Sequence, residues 1–189
     1  MVLQCCSAAV IRQVISMGSI EALKKANLFG SLSDDQLQAI AQLGQEESFG
    51  SGEEIFKQDQ KGKTLYVLLD GSVTLMFTVG TEAREETDLM VETLEEPGSV
   101  FGTSSLVNPF VYNVTARCTE PARALAIDSV GFREIIRREP IIGFEVMTKL
   151  AQIYFNRLNT TRAAVTSLFK TFKFRTRRPK GLEDRGESS

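Results

Sequence analysis

The 189-residue chain contains no histidine and no tryptophan. Without histidine it lacks the side chain that most often serves as a general acid or base at neutral pH. No recognisable catalytic motif contains a pair of carboxylates, and no cysteine stands beside a side chain that could act as its general base. Neither acid–base nor nucleophilic catalysis therefore has an evident set of residues. We therefore expect a protein that is not an enzyme.

Cysteine is scarce as well, with Cys5, Cys6 and Cys118 as the complete set. The adjacent pair cannot easily form a mutual disulfide without strain, and Cys118 lies in a β-rich run, where we expect a small core hydrophobe. This spacing matches no metal site, so we expect no metal and no cofactor. A reducing, cytoplasmic setting is the simplest interpretation.

Long apolar runs are missing too. No segment is long and apolar enough to span a bilayer, and the N-terminus lacks the basic region and apolar run of a secretory signal. The 22 basic and 24 acidic residues nearly balance, so no overall charge indicates nucleic acid. The length is sufficient to bury a core without disulfides or metal.

Apolar periodicity predicts helices before a β-rich region. Residues 8–25 have apolar positions suited to a helix, and Ser33 begins the capping signal of a second one. Residues 47–127 alternate short β-rich runs with turn signals, which is the pattern of an all-β barrel or roll. Within this region the charged segment 80–88 is expected to be a solvated hairpin loop.

Beyond Asp128 the apolar period becomes helical. Residues 129–139 predict one helix, and Pro140 fits the first turn of the next. That long helix carries a heptad seam formed by Met147, Ala151, Tyr154, Leu158, Thr161, Val165, Leu168 and Phe172. We expect the seam to pair with a second copy, the alternative being that it packs on the chain's own barrel.

The segment from Phe101 to Arg117, FGTSSLVNPFVYNVTAR, has the pattern of a phosphate-binding loop. Gly102 is followed by three residues that are suited to cap a short helix: Thr103, Ser104 and Ser105. The backbone N–H groups of such a helical turn form a ready anion site. In the alternative interpretation, Gly98 and Gly102 only turn a corner of the barrel and the hydroxyls only cap a helix.

Two upstream segments carry a Gly-Glu pair before a strand (residues 49–59) and a strand ending in Asp-Gly-Ser-Val (residues 65–76). Together with residues 97–102 and the loop after them, they resemble the cyclic nucleotide-binding domain family, in particular its catabolite-activator-like branch. The resemblance covers residues 28–158. It implies a mainly β fold, a jelly-roll β-barrel with flanking helices and a long C-terminal helix, that binds cAMP or cGMP inside the barrel.

In the family, a Glu directly after the loop glycine bonds the ribose, and an Arg near the start of the next strand pairs with the cyclic phosphate. Here Thr103 stands at the Glu position, and Tyr112 stands at the Arg position, or Asn113 if the loop is one residue longer. Each charge-assisted bond of an Arg fork contributes roughly 1.5–3 kcal/mol, or about one to two decades of affinity. The resemblance therefore implies weak or atypical binding, with a ligand-free dimerisation or interaction module as the alternative.

Strand alternation places Tyr112 and Val114 on one face and Arg117 on the other, so Arg117 is not expected to replace the missing cation. The resemblance further implies that Leu75 packs against the base and that Thr161 reaches the base from the long helix. The complete predicted ligand-binding set is Leu75, Phe101, Gly102, Thr103, Ser104, Ser105, Tyr112, Asn113, Val114 and Thr161.

The predicted organisation has four parts: a helical segment (1–27), the barrel with flanking helices (28–134), the dimerisation helix (135–173) and a basic tail (174–189). The tail is expected to be disordered. It could contact a protein partner or an anionic surface, or it could be the solvated basic end of the helix. Residues 166–189 are too few for the winged helix-turn-helix of the bacterial transcription factors in this branch, so no DNA-binding domain is expected.

Overall fold

A computed structural model describes residues 17–79 and 87–171 of the chain. In chain order its elements are α1 (Met17–Lys25), α2 (Asp34–Ala41), β1 (Gly44–Phe49), β2 (Glu54–Phe56), β3 (Thr64–Asp70), β4 (Val73–Val79), β5 (Thr87–Leu94), β6 (Val100–Phe101), a 3₁₀ turn (Thr103–Leu106), β7 (Thr115–Cys118), β8 (Ala122–Asp128), α3 (Ser129–Arg138) and α4 (Pro140–Thr171). Four segments for which the sequence made predictions lie wholly or mostly outside the described residues: Cys5 and Cys6, the first half of the helix predicted at 8–25, the hairpin loop at 80–88, and the tail.

The strands form two antiparallel sheets, in the orders β1-β8-β3-β6 and β2-β7-β4-β5. The residues that face the interior are spaced two apart along their strands, as a pleated strand requires, and both sheets contribute to one buried cluster. Its members are Phe56, Tyr66, Leu68, Val73, Leu75, Leu94, Phe101, Tyr112, Ala116, Cys118, Ala122, Ala124 and Ala126. The predicted jelly-roll barrel with flanking helices and a long C-terminal helix is confirmed.

Strands β3 and β8 are buried on both faces, so they consist of continuous apolar runs rather than alternating ones. Helices α1 and α3 contact β3, and α3 also contacts β8. The rings of Phe29 and Phe132 meet edge to face there, with centroids 5.8 Å apart. This second core fixes α3 to the back of the barrel.

The helix boundaries follow local signals. Ser33 caps α2 in a capping box with Gln36, as its sequence predicted. Asp128 caps α3 by accepting hydrogen bonds from the N–H groups of the first turn, and Pro140 opens α4. The described residues form two compact units, the first ending at Ala151 and the second beginning at Gln152.

Cys118 lies inside the barrel, where burial raises the pKa of its thiol. It is the free cysteine of the described residues, and its burial confirms the core position that the sequence predicted. No helix among the described residues is long and apolar enough to cross a membrane.

Candidate ligand site in the β-barrel

The predicted phosphate-binding loop begins at a glycine in the left-handed backbone region. Gly102 has φ of 71° and holds the N-cap position of the 3₁₀ turn, so the predicted capping by Thr103 and the serines is wrong. A Cβ on Gly102 would lie 3.1 Å from the Thr64 carbonyl oxygen and 3.4 Å from each of the rings of Phe56 and Tyr112. Glycine is thus required both by the backbone angle and by the close approach of its neighbours.

Helix α3 holds the loop from behind. Ser105 is fully buried, and its Oγ lies 2.7 Å from the Oγ of Ser129 at the start of α3. Arg133, one turn later, donates to the Ser105 carbonyl and places its guanidinium carbon 4.3 Å from the centroid of the Phe110 ring. The loop and α3 are therefore joined by polar and cation–π contacts that the sequence did not indicate.

Tyr112 fills the interior beside the loop glycine. Its side chain is 4% exposed, and its ring stacks on Phe56 with centroids 3.9 Å apart and planes 16° apart. The hydroxyl donates to the Thr64 carbonyl oxygen at 2.8 Å and accepts from the Thr64 N–H at 3.2 Å. Asn113 is exposed. Of the two residues predicted for the Arg position, Tyr112 is the one that points into the barrel.

The aromatic cluster continues from Tyr112 through the barrel. Phe56 stacks on Tyr66 at 5.8 Å and on Phe101 at 6.2 Å, and Tyr66 stacks on Phe101 at 5.1 Å. Phe49 meets Tyr66 edge to face at 6.3 Å. None of these rings carries a charge, so a phosphate brought among them would lose water without gaining a counter-ion.

The other predicted residues of the first compact unit lie in the interior cluster or in the 3₁₀ turn. Leu75 is buried in the cluster, and Val114, the residue before β7, packs against it. Thr103 is buried and Ser104 is half-buried in the 3₁₀ turn. The structure thus brings Leu75, Phe101, Tyr112 and Val114 together in one interior cluster, with Gly102 beside the rings of Phe56 and Tyr112, whereas Asn113 is exposed and the Ser105 side chain bonds α3.

Arg117 points away from the barrel interior, as strand alternation predicted. Its Nη2 lies 2.7 Å from Glu54 Oε1 on β2. Hydrogen bonds from Lys57 and Arg117 lower the pKa of Glu54. Arg117 therefore belongs to an outer ion pair and supplies no charge to the interior.

Thr161 lies in the second compact unit and is exposed. Its hydroxyl donates to the Arg157 carbonyl one turn earlier, at 3.0 Å. The reach of Thr161 toward a nucleotide remains a prediction. Among the described residues there is no group of acidic or cysteine side chains that could hold a metal ion.

Comparison with known proteins agrees with this geometry. The sequence profile of the cyclic nucleotide-binding domain matches residues 46–139. A crystal structure of a provisionally named cyclic nucleotide-binding protein from Geobacter metallireducens GS-15 is 34% identical, with a TM-score of 0.62, over 74% of this chain and 98% of that one. This chain belongs to the cyclic nucleotide-binding domain family.

Curated relatives of this domain include longer proteins. The cyclic AMP receptor protein of Thermus thermophilus is 26% identical over 130 residues, which are 69% of this chain and 58% of that protein. A CRP-like cAMP-activated global transcriptional regulator of Mycobacterium tuberculosis is 24% identical over 151 residues, which are 80% of this chain and 63% of that protein. The chain thus spans about three fifths of the length of these relatives.

Burial changes the ionisation of the two tyrosines inside this domain. Loss of water on burial raises the pKa of Tyr66 to about 12, and the same cause raises the pKa of Tyr112. The folded state therefore keeps phenol protons that the unfolded chain, with tyrosine pKa values of about 10, releases. Above about pH 10 this difference in proton binding shifts the equilibrium toward the unfolded state. The contribution of the two tyrosines to the free energy of unfolding is therefore fully present below about pH 10 and is lost as the pH rises toward 12.

We predict that the two buried phenols, those of Tyr66 and Tyr112, titrate above their ordinary range in the folded domain, while in denaturant they titrate near pH 10. Phenolate absorbance, followed with and without denaturant, measures this. The free energy of unfolding should fall over the same pH window. Ordinary titration of both buried tyrosines in the folded protein would contradict the packing of Tyr112 and Tyr66 described above.

Proposed function

We propose that the chain is a non-enzymatic regulatory module whose barrel binds a cyclic nucleotide such as cAMP only weakly, and whose C-terminal helix passes the state of the barrel to a partner. Family membership supports the regulatory role, and the names of the Thermus and Mycobacterium relatives support cAMP as the ligand class. The single observation that carries weak binding is the Tyr112 side chain packed inside the barrel.

A nucleotide phosphate bound at the loop must first displace the ring of Tyr112. Displacement breaks the hydrogen bond to the Thr64 carbonyl and separates the ring from Phe56. Each buried hydrogen bond lost costs about 1–3 kcal/mol when its partner stays unsatisfied. In return the phosphate gains backbone N–H groups and the neutral hydroxyl of Thr103, but no guanidinium. Affinity in the millimolar range follows.

Movement of the loop has a direct route to the helices. The Ser105–Ser129 hydrogen bond and the Arg133 contacts tie the loop to α3, and α4 begins two residues after α3 ends. A displaced loop would pull on α3 and so shift the start of α4. Pairing of two copies along α4, which the seam predicts, remains one form that the partner could take.

A ligand-free interaction module is the second candidate, and one observation favours it. The hydroxyl of Tyr112 both donates to and accepts from Thr64, so the ring is held by two hydrogen bonds in addition to its stacking. In this candidate the barrel serves only as a scaffold for α4.

Isothermal titration of the full chain with cAMP and cGMP at low salt, with thermal shift as a second readout, distinguishes these functions. The proposed module gives saturable but weak binding, with a midpoint in the millimolar range. The absence of any heat or thermal shift at millimolar ligand would favour the ligand-free module. Micromolar binding would show that Tyr112 does not block the site.

A further inference from the structure

The second half of α4 presents an uncovered apolar stripe. Four large apolar side chains after Gln152 are between 43 and 63% exposed: Phe155, Leu158, Val165 and Phe169. Their spacings of three, seven and four residues place them on one side of the helix. This stripe shares Leu158 and Val165 with the predicted seam. Phe155 and Phe169 belong to the stripe and lie outside the seam, and the seam residue Tyr154 is half-buried.

The charge of this part of the chain is of one sign. Residues 146–182 contain nine basic residues and no acidic residue, whereas 21 of the 24 acidic residues lie in residues 1–145. In the described helix after Gln152 the basic residues are Arg157, Arg162 and Lys170, and the last two are exposed. The near-zero net charge of the whole chain conceals this separation.

Threonines beside and opposite the stripe make the rest of this helix weakly polar. Three threonine hydroxyls donate to carbonyl oxygens one turn earlier: Thr160 to Asn156 at 3.1 Å, Thr161 to Arg157 at 3.0 Å and Thr166 to Arg162 at 2.8 Å. Because their donors are satisfied within the helix, these hydroxyls lose little when water is partly withdrawn. The helix therefore combines an apolar stripe, positive charge and hydroxyls that need little hydration.

We infer that the exposed half of α4 docks on an anionic lipid surface, lying in the plane of the headgroups with its apolar stripe turned toward the acyl chains. Basic amphipathic helices with exposed aromatic residues bind such surfaces through buried apolar area together with attraction to lipid phosphates. Arg162 lies within the stripe, and its long side chain can extend from there to a phosphate. This docking does not depend on nucleotide binding in the barrel.

A second copy of the helix is a poorer match for the same stripe. In a parallel pair, Arg162 would face its own counterpart, four residues after Leu158 and three before Val165. Residues 146–182 offer no carboxylate to neutralise it, so like charges would accumulate along the contact. An anionic bilayer supplies the negative charge that a second copy lacks.

Vesicle flotation of the full chain tests this docking. The probes are vesicles of phosphatidylcholine alone and vesicles containing about one third phosphatidylglycerol. We expect binding to the anionic vesicles to be at least about tenfold stronger. Leu158→Ser and the pair Arg162→Gln, Lys170→Gln should each weaken that binding by about tenfold, through lost apolar area and lost charge respectively.

Two controls change exposed residues of the same types outside α4. Leu89→Ser on β5 and Arg138→Gln on α3 should leave vesicle binding unchanged, and circular dichroism should show every variant folded. Equal binding to both vesicle types, or equal losses in the controls, would overturn the inference. It would also be overturned if the chain bound no vesicles and instead formed a dimer that Leu158→Ser dissociates in light scattering, or if it bound only duplex DNA.

Discussion

A Thr103→Glu, Tyr112→Arg double variant is expected to bind cAMP at least about a hundredfold more tightly than the wild-type chain. The change removes the ring that stacks on Phe56 and supplies a guanidinium that can form two charge-assisted hydrogen bonds with the phosphate. Each such bond contributes about one to two decades of affinity. Isothermal titration with cAMP measures the gain.

The control for this gain is a double variant of similar shape without charge, Thr103→Gln, Tyr112→Gln. It also vacates the position of the ring, so it separates the effect of space from the effect of charge. We expect it to gain less than about tenfold. Equal affinities for the charged variant and the wild type, with both proteins folded, would mean that another part of the interior excludes the nucleotide.

Phe56→Ala is expected to lower the free energy of unfolding by about 3–5 kcal/mol. Phe56 is 5% exposed and is the ring that contacts Tyr112, Tyr66 and Phe101 alike. Truncation to alanine removes its buried area and leaves a cavity at the centre of the aromatic cluster. Denaturant unfolding followed by circular dichroism measures the loss.

Phe77→Ala on β4 provides the matched control, because the same chemical change is made at a side chain that is 43% exposed. We expect it to lower the free energy of unfolding by less than about 1 kcal/mol. Equal losses for the two variants would show that the rings around Phe56 do not form the stabilising centre of the barrel.

Local patterns were sufficient to predict the barrel and part of the site. Alternation along residues 112–118 placed Tyr112, Val114, Ala116 and Cys118 on one face, and the structure places all four in or against the interior cluster. The same alternation correctly placed Arg117 outside. A two-residue period depends only on neighbours in sequence, so it can be read without the fold.

Contacts between distant segments could not be predicted in this way. Tyr112 is held by Thr64, which is 48 residues away, and Ser105 is held by Ser129, which is 24 residues away. Sequence reasoning identified Tyr112 as a lost arginine, but it did not indicate whether the ring filled the vacated position. That answer depends on how β3 and the loop meet in space.

The seam on α4 illustrates a different limit. A helix turn of 3.6 residues lies between spacings of three and four, so two adjacent stripes fit one apolar pattern. Leu158 and Val165 belong to both stripes, whereas Phe155 and Phe169 belong only to the exposed stripe, and pairing along the seam stays a prediction. The one-sign charge of residues 146–182 was visible in the sequence, but the balanced total of the whole chain concealed it.

We propose that Tyr112 holds the position that a bound phosphate needs. The most direct measurement follows the backbone amide resonances of Thr64 and Gly102 by nuclear magnetic resonance while cAMP is added to the wild-type chain. We predict that these resonances stay unshifted at micromolar ligand and move only in the millimolar range, as Tyr112 leaves Thr64. A saturable shift of both amides at micromolar cAMP would show that Tyr112 does not hold the phosphate position.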